Sequence, residues 1–355
     1  CWSDWSSDVC SSDLDGTTLD GGHAGQGDVL VAEADESDGS FAKYHPTIAI
    51  ITNAEADHLD HYGDEAHYRA AFVNHAGHAT GHVVICADDP DALAVFQALP
   101  ADIKAHTVVY GTTPIEQLPD LGGAAHVWIS SEQETAGTGV ERLTLHLPAA
   151  VTSADAVAQR VELKVPGIHN ARNAAAAITA AVLLGVSPTD AAHAVGTFLG
   201  AARRFQVHGT VKQVTVVDDY AHHPTEIAAL LDAARRRYPQ STIRVIFQPH
   251  LFSRTKFFAR EFAEALAKAD DVIVTGIFPA REKQEDFPEI TAATIVDAAA
   301  GIKDAAAGEW IQPVEDMGLA ARMMAMRAHH GDVIFTVGAG DITDMDQVLL
   351  TALEA

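Results

Sequence analysis

An α/β protein of two domains in tandem, each built on a mostly parallel sheet, is what the sequence predicts. Three observations carry this reading. From residue 28 to about 111, short β-rich runs alternate with helical segments. Between about 124 and 165 that rhythm gives way to three strand-like runs with no helix between them, and after residue 200 it restarts. Alternation of this kind is the pattern of a parallel sheet covered by helices, and consecutive strands without helices imply an antiparallel patch.

In chain order, "CWSDWSSDVCSSDL" (residues 1–14) has neither helical nor strand period and no initiating Met, so it is set aside as a non-native leader. Residues 15–28, rich in Gly, Thr and Asp, read as loop. "DVLVAEA" and "TIAIITN" read as strands, "EAHYRAAFVNHAG" as a helix, "HVVICA" as a strand, "PDALAVFQAL" as a helix and "HTVVYGT" as a strand. "AHVWIS", "RLTLHL" and "RVELKVPG" form the antiparallel patch, and an Ala-rich helix, "NARNAAAAITAAVLLG", follows and stops at Gly185. The boundary is placed near 200, giving units of 15–200 and 201–355. In the second, "QVTVVDD" leads to a helix opening at Pro224, where the missing N–H is harmless. "TIRVIFQ", the helical "RTKFFAREFAEALAKA", "DVIVTGI", "DVIFTVG" and a last helix complete it.

A formal net charge of −26 and a pI near 4.9 disfavour nucleic acid and anionic membrane as main partners, because the long-range field repels polyanions. They leave room for a nucleotide in a local basic pocket with a metal ion. No apolar run is long enough to span a bilayer. Of three cysteines, two lie in the leader and Cys86 stands alone, so neither a disulfide framework nor a cysteine metal site follows and the cytoplasm is the default compartment.

In open α/β sheets ligands lie beyond the carboxyl ends of the strands, and the chemistry-bearing residues cluster at such ends here. "VAEADESDGSF" places Glu33, Asp35, Glu36 and Asp38 within six residues, and "TNAEADHLDHYGD" adds Glu55, Asp57, His58 and Asp60. Two neighbouring strand-end clusters could share Mg²⁺, which takes oxygen ligands and often joins one or two carboxylates to phosphates. Solvated acidic loops would read the same. "PGIHNARNAAAA" puts His169, Asn170 and Asn173 at a helix start, with the two Asn on one face beside free N–H groups. "RRF" (203–205) at the junction is a surface pair or an anion clamp. "VVDDYAHHPTEI" ends a strand in Asp218 and Asp219 and adds His222 and His223; adjacent histidines lack helical zinc spacing, so nucleotide or substrate contact is as good a reading as metal. "FQPHLFSRT" adds His250 and Arg254, and "VGAGDI" is a Gly turn opening a helix.

Together and in this order, "EADESDGSF", "ITNAEADHLDHY", "GIHNARNAAAA", "RRF", "DDYAHHPTEI", "FQPHLFSRT" and "VGAGDI" resemble the Mur ligases over residues 18–355. The resemblance implies a Mur-ligase central domain with a mostly parallel sheet, followed by a Rossmann-like C-terminal domain. It implies an ATP-dependent ligase of peptidoglycan synthesis that joins L-alanine to the carboxyl of UDP-N-acetylmuramate through an acyl phosphate, with Mg²⁺. It also implies roles: Glu33 and His58 as Mg²⁺ ligands; His169, Asn170 and Asn173 as ATP contacts; Arg204 on phosphate; Asp219 on nucleotide; His222, His223 and Arg254 near the reacting carboxyl or the incoming amine. Two departures matter. The family's Gly-Lys-Thr phosphate loop has no counterpart, since no Gly-Lys dipeptide occurs, and the UDP-binding N-terminal domain is missing. The chain is therefore expected to begin partway through the central domain and to be inactive as a ligase by itself. "EAHYRAAFVNHAG" also lacks the lysine that some relatives carbamylate. A murein-peptide recycling ligase and a non-catalytic nucleotide- or peptide-binding fragment are the alternatives.

Overall fold

The fold is seen in a computed structural model that describes residues 27–131, 140–303 and 309–355, apart from the side chains of Asp60 and Ser131. The leader and most of the loop after it lie outside the described residues.

Six strands form the first sheet, in the spatial order of the chain: β1 (Ile48–Ile51), β2 (His82–Cys86), β3 (Thr107–Gly111), β4 (Ala125–Ser131), β5 (Glu141–Leu147) and β6 (Val157–Leu163). β1 to β4 pair in parallel, and β4–β5 and β5–β6 pair antiparallel. The reason is visible in the side chains. β2 is apolar at every position from Val83 to Cys86, as a parallel strand covered on both faces must be. Val83 and Ile85 join Tyr68, Phe72, Val95 and Phe96 from the helices Glu65–Gly77 and Pro90–Ala98. Val84 and Cys86 join Ala171, Ala175 and Ile178 on the opposite face, from the Ala-rich helix Ile168–Leu183. β5 instead alternates buried and half-buried residues, the pattern of an antiparallel strand with one covered face.

The second sheet also has six strands, β7 (Gln206–Val211), β8 (Val214–Asp219), β9 (Ile243–Phe247), β10 (Asp271–Val274), β11 (Ile311–Pro313) and β12 (Val333–Val337). Their order is β11-β10-β9-β12-β8-β7, parallel except for the β7–β8 hairpin. The last strand thus inserts between β8 and β9, where the winding reverses. The helices Pro224–Arg237 and Ala259–Leu266 cover one face through Ile227, Leu231, Phe262 and Leu266 against Val245, Phe247 and Phe335. Met317–Arg327 and Met345–Glu354 cover the other through Met324, Leu349 and Leu353 against Val216, Ile246 and Ile334.

Two expectations are corrected. "DVLVAEA" is not a strand: residues 28–34 carry no ladder, and Leu30 and Val31 are 90% and 89% exposed. A strand exists only with a partner, and β1 pairs with β2 alone among the described residues. "RTKFFAREFAEALAKA" is two helices, Phe252–Phe257 and Ala259–Leu266, because the backbone at Phe258 leaves helical geometry at φ −111°, ψ 21°.

Candidate nucleotide and substrate cleft

A cleft of 1110 Å³ is lined by residues of both units. From the first unit it is lined by the loop after β1 and the start of the Ala-rich helix, and from the second by the junction, the end of β8 and the start of Pro224–Arg237. His58, His169, Asn170, Asn173, Arg204, Asp219, His222 and His223 all line it. Glu33 and Arg254 do not.

The helix start is shaped by Gly167, whose φ of +102° suits glycine; a Cβ there would meet His169 Cε1 at 2.6 Å. The His169 ring folds over this glycine. Asn170 Nδ2 donates to the Pro166 carbonyl at 2.7 Å and lies 3.1 Å from His169 Nε2. His169 Nδ1 is buried without a hydrogen-bond partner among the described residues. Burial first, then the Arg204 and Arg172 guanidinium groups, lower its pKa to about 4, so the imidazole is neutral at pH 7.

Opposite stand Arg204, Asp219 and Glu226. Asp219 accepts backbone N–H bonds from Phe205 at 2.8 Å and Ala221 at 2.9 Å. Burial raises its pKa to about 6 against the opposing pull of Arg204. Glu226 accepts from the His222 and His223 N–H groups at 2.9 and 3.2 Å, capping Pro224–Arg237, and sits 3.6 Å from Arg204 Nη1. Its partial burial pushes the carboxyl up, but the charges of His222 and Arg204 and the two N–H bonds overcome this and hold it at about 2. His223 Nδ1 lies 3.5 Å from Glu55 Oε2 across the cleft, and its Nε2 is buried without a hydrogen-bond partner among the described residues.

Two of the sequence-derived site residues lie outside the cleft lining. Glu33 is exposed, and the carboxylates beside His58 Nε2 are Glu36 and Asp57, each at 3.7 Å. With no strand at 28–34, Glu33 does not mark a strand end; a turn closed by Gly39 N–H on the Glu36 carbonyl turns Glu36 toward the cleft instead. Arg254 is buried in the seam, where Nη2 donates to both Asp57 oxygens at 3.1 and 2.8 Å. Its partner carboxyl is pushed up by burial but held at about 2 by Arg254 and His58.

Sequence reasoning missed Glu226, Arg172 and Glu141. Glu226 lay in a quoted motif, three residues beyond His223, the spacing of a capping box. Arg172, the charged residue inside the Ala-rich run, lines the cleft and donates to buried Asp88 at 2.7 Å. Glu141, buried in β5, accepts from Gly167 N–H at 3.1 Å and from Arg236 Nη2 of the second unit at 2.8 Å. No signal in the sequence pointed to that pair.

Glu36 and Asp57 flank His58 on this side of the cleft; burial raises the Glu36 carboxyl, and Asp35 and Asp57 raise it further against the pull of His58. The cleft as a whole brings guanidinium groups, amides and a neutral imidazole together with several carboxylates.

Two α/β units, each on a mostly parallel sheet and meeting at one polar cleft, define the architecture, and comparison with known proteins identifies the family. The Mur ligase middle domain matches residues 18–181, and the Mur ligase glutamate ligase domain matches 203–340. The chain belongs to the Mur ligase family. It is 85% identical over 341 residues to the UDP-N-acetylmuramate–L-alanine ligase of Bifidobacterium longum (strain DJO10A), covering 96% of this chain and 67% of that protein. It is 70% identical to the ligase of the same description from Bifidobacterium adolescentis, covering 96% and 66%. Among solved structures, UDP-N-acetylmuramate-alanine ligase MurC from Thermotoga maritima superposes with a TM-score of 0.65 at 27% identity, over 90% of this chain and 62% of that one. A murein peptide ligase from Psychrobacter arcticus, at 24% identity and TM-score 0.58 over 88% and 59%, shares the fold. The chain thus spans about two thirds of the length of the relatives it matches.

Proposed function

We propose that this chain carries the ATP-binding and closing parts of a ligase that joins L-alanine to the carboxyl of UDP-N-acetylmuramate. The observation that supports it is the juxtaposition of His169, Asn170 and Asn173 on one wall with Arg204 and Asp219 on the other, in a chain 85% identical to a ligase of that description. ATP would lie between them. Neutral His169 and the two amides would hold the nucleotide by hydrogen bonds. Arg204 would meet the phosphate oxygens that gain charge as the phosphoryl group moves to the muramate carboxyl, the form of stabilisation that contributes most in phosphoryl and acyl transfer. His222 and His223 line the side toward which the acceptor amine would come. Mg²⁺ would be taken by His58 with carboxylates of the 33–36 stretch, and when bound it would neutralise phosphate charge.

The experiment is phosphate release by a full-length ligase carrying residues 27–355 of this chain, supplied with ATP, UDP-N-acetylmuramate and L-alanine. Release should require all three, and Arg204→Met should cut it by about two to three decades, the usual cost of losing one charge-stabilising donor. Release with the muramyl acceptor only when an L-alanine-headed peptide replaces L-alanine would favour the recycling ligase. No release with any acceptor would favour a binding fragment.

A further inference from the structure

Two arginines stand side by side at the domain junction, and the structure gives them opposite characters. Arg204 is loosely held, with its side chain 41% exposed, 3.6 Å from Glu226 and 5.5 Å from the Tyr220 ring. Arg203 is locked. Its Nε donates to Asp218 at 3.2 Å and its Nη2 to the Gly338 and Gly340 carbonyls at 2.7 and 3.1 Å, with the guanidinium 4.9 Å over Tyr220. Asp218 is wholly buried and further bound by the Thr336 and Thr343 hydroxyls at 3.1 and 2.9 Å.

The backbone between them is strained. Arg203 and Phe205 have φ of +58° and +51°, the left-handed region that costs a residue with a Cβ roughly 1 kcal/mol or more. Such a turn persists only where its surroundings hold it. Here the Arg203 N–H reaches Gln206 Oε1 at 2.7 Å, its carbonyl receives Tyr220 N–H at 2.7 Å, and Phe205 N–H reaches Asp219 at 2.8 Å. Between two left-handed residues, the direction of the Arg204 side chain follows the turn.

We propose that Arg203 is a positioning residue: clamped to Asp218 and the Gly338–Gly340 turn, it holds the strained junction so that Arg204 points into the cleft. A lysine cannot replace it, because one ammonium on a flexible stem cannot serve a carboxylate and two carbonyls in the fixed geometry of a guanidinium. The proposal concerns where Arg204 points, and it rests on the ligase reading only for the kinetic consequence.

His169 supplies the test, because it faces Arg204 together with Arg172, Glu226 and Arg236. In the chain itself, the His169 ring is titrated by NMR in the parent, R203K, R204M and the double variant. R204M removes a neighbouring cation and should raise the imidazole pKa by about half a unit or more. R203K should raise it by most of the same amount, although Arg204 is still present, and the double variant should show no further rise. D218N, a near-isosteric change that loosens the anchor, should move it the same way by less, and serves if R203K fails to fold. A His169 titration unchanged in R203K and D218N, or shifts that add in the double variant, would overturn the proposal. In the full-length ligase, R203K should lower kcat/KM for ATP at least about tenfold in the parent and less than about twofold in an R204M background. Loss of ligase activity in the parent would refute the proposed function while leaving the titration to decide the role of Arg203.

Discussion

Within each unit the sheet is held by apolar side chains, on both faces of its parallel strands; between the units the named contacts are polar. Among the described residues, the core clusters of the first sheet contain nothing beyond Phe198, and those of the second nothing before Phe205. The seam is instead crossed by Asp57–Arg254, Glu141–Arg236 and Glu55–Thr225, the last at 2.7 Å. Apolar contact is non-directional and survives small shifts, whereas a charge pair is made or lost over an ångström or two. A chain organised this way has two separate apolar cores joined by directional polar contacts, so the seam should yield before either core, as the proposed closure on a nucleotide would require.

The largest test of this contrast is core truncation. Phe335→Ala should cost about 3–5 kcal/mol, and Ile178→Ala about 2–5 kcal/mol, both sites being fully buried. Calorimetry should show each variant lowering one melting transition and leaving the other in place. A single transition that shifts as a whole in both variants would break the comparison, because the two cores would then unfold as one.

Next in size is the seam. Asp57→Asn leaves Arg254 buried without its counter-charge and should shift the open–closed balance by about 1–3 kcal/mol toward open, with both cores intact. Small-angle scattering would report the larger radius. The pH dependence has a definite sign: the Asp57 carboxyl is held at about 2, so the pair contributes fully above the unfolded value near 4 and is lost as pH falls toward 2. Opening on acidification should thus begin below about pH 4 in the parent, and the Asn variant should lack that step.

The smallest effect concerns Asp346, inside the second unit. Burial raises its carboxyl to about 7; Asp218 and Asp344 raise it further, Thr336 and Arg203 oppose, and His208 Nε2 lies 3.2 Å away. The folded state keeps this proton between about pH 4 and 7, where the unfolded chain has lost it, so stability falls as pH rises through that window. Asp346→Asn should flatten the fall, raising the melting temperature at pH 8 relative to the parent more than at pH 5. An equal change at both values would refute the assignment.

Most of both sheets was legible because period and punctuation coincide with packing. β5 alternates as one face demands, β2 is apolar throughout as two faces demand, and Pro224 opens a helix where its missing N–H does no harm. The cleft was legible for a related reason: strand ends and helix starts of open sheets gather at one edge, so His58, His169 and Asp219 line one cleft although far apart in sequence. What escaped depends on partners that local sequence cannot name. "DVLVAEA" has the composition of a strand but no neighbour among the described residues to pair with. Arg254 sits in a motif that suggests substrate, yet its carboxylate partner lies 197 residues away across the seam. Glu141 reads as one more polar residue on an alternating strand, and only the packed structure puts a helix start and a guanidinium on its two oxygens.

The volume of the cleft has a consequence of its own. Liquid water takes about 30 Å³ per molecule, so 1110 Å³ of space between the units corresponds to some tens of solvent molecules. If a nucleotide enters as proposed and draws the walls together, it returns many of them to bulk, and that return becomes part of its affinity. The binding equilibrium is in this sense a dehydration reaction, and it should respond to water activity. Sucrose or another excluded osmolyte should tighten nucleotide binding without touching any residue that contacts the ligand.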